Sequence, residues 1–291
     1  MAKLHFLKLH FFKIHGEYQT LSDRNDNQNE IEKMQFFEIM PKGFKVQEFP
    51  PRFVKKSWQQ PLTVDINKLD FEMLRELIGL DSEVQSDLLS LSLKTIKERF
   101  KGEVLTASRL LDFIEITGEK YSLRKAAMTV KRKLSILCEL GIFGPGINPE
   151  NLVQKGQLTV IDLSGDVEEK LKRALCATVL NDLFEVRKQD KVSAFFVIVE
   201  ESHRFCPQDE ECVSKEVIRR LAREGRKFGV GICLTSQRVI GLDKDARRAS
   251  LQRYNDIVQI DGQISYNIVL SMEITRESGI MYEFRTTLVP V

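Results

Sequence analysis

The sequence predicts an α/β protein with a mainly parallel sheet and a helical bundle set into it. Three observations carry that expectation. First, residues 157–162 (QLTVID), 195–199 (FFVIV) and 230–234 (VGICL) are apolar runs without alternation, the pattern of strands covered on both faces. Second, the last two runs are joined by an amphipathic stretch of helical period, which makes a βαβ unit. Third, residues 67–140 repeat apolar positions at three and four throughout, with no strand among them.

Composition bounds the rest. The 291 residues, 42% hydrophobic and 30% charged, describe a soluble globular chain able to bury one large core or two modest ones. A net charge of +2 leaves no global attraction for nucleic acid, so any such surface is local. Five cysteines without paired spacing point to free thiols in a reducing cytoplasm. No apolar run approaches membrane-spanning length, and lysines and histidines break the amino-terminal apolar residues, unlike a secretory signal.

In chain order, KLHF, KLHF and KIHG recur from Lys3, Lys8 and Lys13. Flanking Phe and Leu residues suit a buried edge strand better than a histidine metal site. Residues 22–30 (SDRNDNQNE) are rich in turn formers and predict an exposed loop. Residues 34–61 mix aromatics, Trp58 included, with four prolines, and predict short strands with an irregular connection. Four helices follow, with faces at Phe71, Leu74 and Ile78; Leu88, Leu91 and Ile96; Leu110, Leu111 and Ile114; and Leu123, Ala127, Val130, Leu134 and Leu137. Arg124, Lys125, Lys131, Arg132 and Lys133 make the last helix basic, as a solvated face or a DNA contact.

GIFGPGINPE (141–150) is a turn-rich return to the sheet; Pro145 removes an N–H donor from any phosphate cradle there. QLTVIDLSG (157–165) is a strand with Asp162, a structural residue, and Ser164 at its end. A helix over 166–187 has acidic residues in its first turn and basic ones in its last. The strand 195–199 then delivers Glu200 and Glu201 to its carboxyl end, where open α/β sheets place ligands, here a hydrated metal and phosphates.

In the next helix Val217, Ile218, Leu221 and Ala222 face inward, and Arg219, Arg220, Arg223 and Arg226 outward; it stops between Gly225 and Gly229. His203, Cys206 and Cys212 fit no common zinc spacing and serve packing. Ser236 and Gln237 end the strand that follows. Beyond lie a short helix over 243–252, a strand at 256–260, a helix over 265–275 and a closing strand.

Four segments together, VIVEESHRF, SKEVIRRLAREGRKFGVGICLTSQR, VIDLSG (160–165) and HGEY (15–18), resemble the HerA branch of the HerA/FtsK family of ring-shaped DNA-pumping ATPases. The resemblance implies a RecA-like P-loop NTPase core divided as 1–66, an inserted helical bundle at 67–140, and 141–291. It implies Mg2+ and ATP as cofactors, with Glu200 on the Mg2+ side through a bound water in a Walker B position and Glu201 as catalytic carboxylate. It further implies Arg226 as an arginine finger, Gln237 as a sensor of the phosphate and Glu17 as a weaker part of the site. The implied partners are double-stranded DNA, a nuclease and further copies in a cytoplasmic hexameric ring acting in DNA-end processing and repair, with no membrane.

The chain departs from that family in two respects. A phosphate loop needs G-x-x-x-x-G-K-[ST], and no Gly-Lys dipeptide occurs anywhere. The resemblance also implies that FFKIHGEY sits on a core strand, and within it Lys13 stands where the family has an acidic residue. Three readings follow: a subunit of an ATP-driven DNA translocase, a non-hydrolysing RecA-like relative that binds DNA or protein, or part of a split gene whose phosphate loop is encoded upstream. The chain alone is expected not to hydrolyse ATP efficiently.

Overall fold

A computed structural model describes residues 9–13, 21–36, 40–51, 60–164, 168–236, 239–246, 266–267 and 289–290. Its centre is a five-stranded, wholly parallel sheet in the order β2-β3-β1-β4-β5. The strands are β1 (Leu9–Lys13), β2 (Lys45–Phe49), β3 (Gln157–Asp162), β4 (Phe195–Val199) and β5 (Val230–Leu234). β1 lies between β3 and β4, paired on both sides, so it is the core strand that the resemblance implies and not the edge strand that its flanking Phe and Leu residues suggest.

The predicted loop over 22–30 is shorter than expected. Helix α1 (Gln28–Phe36) begins inside it, because the Asn27 side chain accepts the N–H groups of Asn29 at 3.1 Å and Glu30 at 3.4 Å. The bundle between β2 and β3 consists of α2 (Phe71–Ile78), α3 (Glu83–Arg99), α4 (Ala107–Lys120) and α5 (Arg124–Glu139). Asp70 caps α2 through the Met73 N–H at 2.8 Å, and Thr106 caps α4 through Arg109 at 3.1 Å. Gly118 of α4 lies so close to Ala127 of α5 that a Cβ there would overlap the alanine methyl.

The basic face of α5 is divided. Lys131 pairs with Glu115 at 2.6 Å and Lys133 donates to the Gly79 carbonyl at the end of α2, whereas Arg124, Lys125 and Arg132 are exposed. The glycines of 141–146 also have a packing reason. Gly144 sits against the Thr63 side chain and donates its N–H to Val64, which answers the phosphate-loop alternative there.

A one-turn helix, α6 (Pro149–Leu152), leads into β3, and α7 (Glu169–Lys188) joins β3 to β4. α7 starts later than the sequence suggests and is largely buried, lying against α2, α6 and α8 (Val213–Glu224). The core is continuous: Leu88 and Val130 of the bundle belong to the same cluster as Leu175 of α7 and Val197 and Val199 of β4.

α8 ends as the glycines predict. It stops at Glu224, a 3-10 turn runs Gly225–Phe228, and Gly229 takes the left-handed conformation at φ 71°. Two of its four outward arginines are corrected: Arg219 turns to Asp243, and Arg220 bonds Asn181 and lies over the Phe184 ring. Apolar spacing alone could not place them, because their partners are polar side chains from other elements.

Of the carboxyl-terminal elements, Asp243 caps residues 244–246 through the Ala246 N–H at 2.9 Å. Tyr266–Asn267 pairs antiparallel with Val289–Pro290, so those two residues are extended where a helix over 265–275 was expected. The aromatic Tyr266 favours strand over helix. The strand expected at 256–260, and Trp58, lie outside the described residues. Among the described residues no helix is long and apolar enough to cross a membrane.

Candidate functional site at the carboxyl edge of the sheet

Parallel strands all end on one side, so β1, β3, β4 and β5 deliver their last residues to one edge. Lys13 and Asp162 are register partners there, and β4 alongside runs out into Glu200. Asp162 accepts the Ser164 N–H at 3.0 Å, consistent with the structural role read for it.

The chain turns sharply after β4. Glu201 has φ 44°, a left-handed conformation that side chains other than glycine and asparagine adopt at a cost. That turn lets Ser202 bond back to β5: its N–H and hydroxyl both donate to the Thr235 carbonyl, at 2.8 and 2.9 Å. Thr235 in turn donates its N–H to Val199 at 3.0 Å. The ends of β4 and β5 are thereby tied.

His203 bridges the same two ends. Its Nδ1 lies 3.2 Å from Glu201 Oε2 and 2.9 Å from Ser236 Oγ. The three side chains form a half-buried set in which the imidazole fixes where the Glu201 carboxylate sits. Sequence spacing treated His203 only as a packing residue; its place two residues beyond the strand-end acid was the available signal.

The acidic turn is also pinned to α7. Arg204 holds the Glu169 carboxylate, and the buried Arg173 donates Nε to the Arg204 carbonyl at 2.7 Å while pairing with Glu210 at 2.7 Å. Burial works against the Arg173 charge, yet Glu210 and its neighbours raise its pKa overall. Lys215, 1% exposed, bonds the carbonyls of Gln208 and Glu210 and pairs with Glu211 at 3.0 Å and Asp243 at 3.6 Å. Sequence reading missed Arg173, Lys215 and Asp243. Lys215 stands three residues before Ile218 on the apolar stripe of α8, the one hint of its burial.

Among the cysteines, Cys206 is buried and its thiol is pushed up to about 12 by desolvation, with the Asp243 charge adding to it. Cys212 donates Sγ to the Phe205 carbonyl at 3.6 Å, and its pKa too is raised by burial. Both therefore act in packing.

The structure separates Arg226 from the acids. α8 leaves the acidic edge and returns the chain to the start of β5, a run of 12 residues or about 18 Å. Arg226 sits beyond that run, exposed, in a turn held by Arg187 Nε on the Phe228 carbonyl at 2.6 Å and by Phe228 edge-on to Phe184. It and Glu201 of the same chain are at opposite ends of the sheet. Gln237 and Glu17 lie outside the described residues.

Among the described residues no group of three or more His, Cys, Asp or Glu side chains is arranged to hold a metal ion. A phosphate cradle of successive N–H groups with a lysine is absent from the described residues around this edge.

The comparisons with known proteins agree with this architecture. The family model "Helicase HerA, central domain" matches residues 12–183, from β1 into α7 and ahead of β4. The DNA double-strand break repair helicase HerA of Pyrococcus furiosus is 30% identical over a 239-residue alignment covering 62% of this chain and 43% of that one. A probable helicase of Methanocaldococcus jannaschii is 26% identical over 201 residues, covering 62% and 39%. This chain thus spans less than half the length of either relative. VirB4 of Thermoanaerobacter pseudethanolicus superimposes with a TM-score of 0.50 at 13% identity, over 85% of this chain and 91% of that one, a likeness of fold alone. With the model covering more than half of its residues, a RecA-like α/β core and these relatives, the chain belongs to the HerA central-domain family.

Proposed function

We propose that this chain supplies the acidic half of an ATPase site in a HerA-type motor that moves double-stranded DNA. The observation that carries the reading is the Glu201–His203–Ser236 set, which ties the strand-end acid of β4 to the end of β5 in a HerA-family chain. In this reading Glu200 holds Mg2+ through a bound water and Glu201 orients the water that attacks the γ-phosphate of ATP. Gln237 senses the phosphate, and Glu17 adds a weaker contact.

Arg226 belongs to a neighbour's site. Its position at the far end of the sheet supports a trans role, in which a guanidinium of one copy meets the nucleotide at the acidic edge of the next. Such head-to-tail contact closes into a ring, here a cytoplasmic hexamer working with a nuclease on DNA ends in repair. The segments 1–66 and 141–291 form the core, and 67–140 the inserted bundle.

The absent Gly-Lys dipeptide limits what the chain does unaided. Without the cradle, polyphosphate next to Glu200 and Glu201 meets charge of its own sign, so this chain alone hydrolyses ATP poorly. The same observation favours the second reading, a non-catalytic RecA-like subunit that binds DNA or protein.

A Mg-ATP titration of the purified chain beside Glu201→Gln tests this. No micromolar binding and no turnover are expected from either. Turnover that disappears in Glu201→Gln would show a complete site and overturn the half-site reading.

A further inference from the structure

The α4–α5 hairpin carries opposite charge on the outer faces of its two helices. On α4 the exposed Asp112, Glu115 and Glu119 follow one another at steps of three and four, which makes one acidic stripe. On α5 the exposed stripe runs Arg124, Met128, Arg132 and Ile136 at steps of four, with Lys125 beside it. Lys120 and Glu139, of the contrary sign, stand only at the helix ends.

Apolar side chains interrupt the cations. Met128 is 73% exposed and Ile136 48%. A single exposed apolar residue is ordinary on a surface, but two on one helical stripe, spaced by an arginine, have the make-up of an interface with apolar anchors and a charged rim. The charges themselves are largely unused. Lys131 pairs with Glu115 across the hairpin at 2.6 Å, whereas Asp112, Glu119, Arg124, Lys125 and Arg132 have no ion-pair partner among the described residues.

That one pair makes the two faces contiguous and fixes their register. With Glu115 beside Lys131 in antiparallel helices, Asp112 is level with the turn that holds Arg132, and Glu119 with the turn that holds Arg124 and Met128. A second copy therefore offers what the first lacks. A two-fold axis parallel to the helices lays α4 of each copy over α5 of the other, acid on base, whereas an axis across the helices would lay acid on acid. Nucleic acid suits the arginines but not the carboxylates alongside them, and leaves Met128 and Ile136 without an apolar partner.

We propose that the outer face of the α4–α5 hairpin docks a second copy of this chain about a two-fold axis. Asp112 and Glu119 of each copy face Arg132 and Arg124 of the other, and Met128 and Ile136 fill the space between. This contact is isologous, unlike the head-to-tail one proposed for Arg226, and does not depend on it.

The test is sedimentation equilibrium of the full 291-residue chain beside Asp112→Arg and Arg132→Glu. The natural chain is expected to dimerise, with a dissociation constant that rises at least about tenfold between about 0.1 and 1 M salt. Each variant alone sets like charges opposite one another twice and should dimerise at least about tenfold more weakly at low salt. An equal mixture of the two variants should recover the natural affinity, because in the mixed pair both contacts again join opposite signs. The mixture is its own control for folding, since misfolded chains would not recover.

The assignment falls if the natural chain stays monomeric to about 100 μM, or if the mixture associates no better than either variant. An oligomer indifferent to both substitutions belongs to the ring contact instead, and overturns the pairing of bundles while leaving the ring reading in place.

Discussion

Arg219 grips Asp243 with two parallel hydrogen bonds, Nε to Oδ1 at 2.9 Å and Nη2 to Oδ2 at 2.7 Å. The pair joins α8 to the loop after β5, and Asp243 reaches the loop after β4 through its N–H on the Cys206 carbonyl at 2.9 Å. Burial alone would raise the Asp243 pKa; Arg219, the Ala246 N–H and Lys215 outweigh it and hold the carboxyl at about 2, against 3.8 ordinarily.

An acid limb of stability follows. A folded pKa below the unfolded one stabilises above pH about 4, and the benefit is lost as pH falls from about 4 to about 2. The gap between 3.8 and about 2 corresponds to about 2 kcal/mol. Asp243→Asn should therefore lose about that much at pH 7 in urea unfolding and converge with the natural chain near pH 2.

Glu76 reaches from α2 to the start of α8, where its Oε2 accepts the Val213 N–H at 2.8 Å. Burial raises its pKa against that bond, and its Oε1 is buried without a hydrogen bond. Glu76→Gln keeps the acceptor and removes the buried charge, so it should match or exceed the natural stability at pH 7. Glu76→Ala should lose about 1 kcal/mol with the cap, a contrast that thermal melts of the two variants can read.

The left-handed φ of Glu201 separates conformation from chemistry. Both Glu201→Gly and Glu201→Ala remove the carboxylate, yet only glycine takes φ 44° freely. The glycine variant should be the more stable by about 1 kcal/mol in chemical denaturation. Equal stabilities would mean the turn relaxes and the His203 contact is not built on backbone strain.

Gly118 inverts the usual helix preference. In an open helix glycine to alanine gains about 1 kcal/mol, but here the new methyl meets Ala127. Gly118→Ala should cost about 1–3 kcal/mol, and Ala127→Gly in the same chain should recover part of it.

The strands β3, β4 and β5, the four bundle helices and the stop at Gly229 were legible because local pattern decides them. Apolar runs, a three-to-four repeat and a left-handed cap each act within a few residues. The central place of β1 was not legible from local pattern, since strand order is set by pairings between residues far apart in the chain, as between Leu9 and Phe196, 187 positions on (196 − 9). At the site, Glu200 and Glu201 could be named from the end of FFVIV. Their restraint by His203 and Ser236, and the burial of Lys215 against Asp243, depend on loops meeting after folding, which periodicity does not encode.

The unbroken core linking Val130 in α5 to Val199 in β4 has a thermodynamic corollary. Helices that share buried side chains with a sheet cannot melt while it stays intact, so calorimetry should give one cooperative endotherm for bundle and sheet together. Excising residues 67–140 would then strip α7 of the α2 contact and leave a remnant that no longer folds, however plainly that segment stands apart in the sequence.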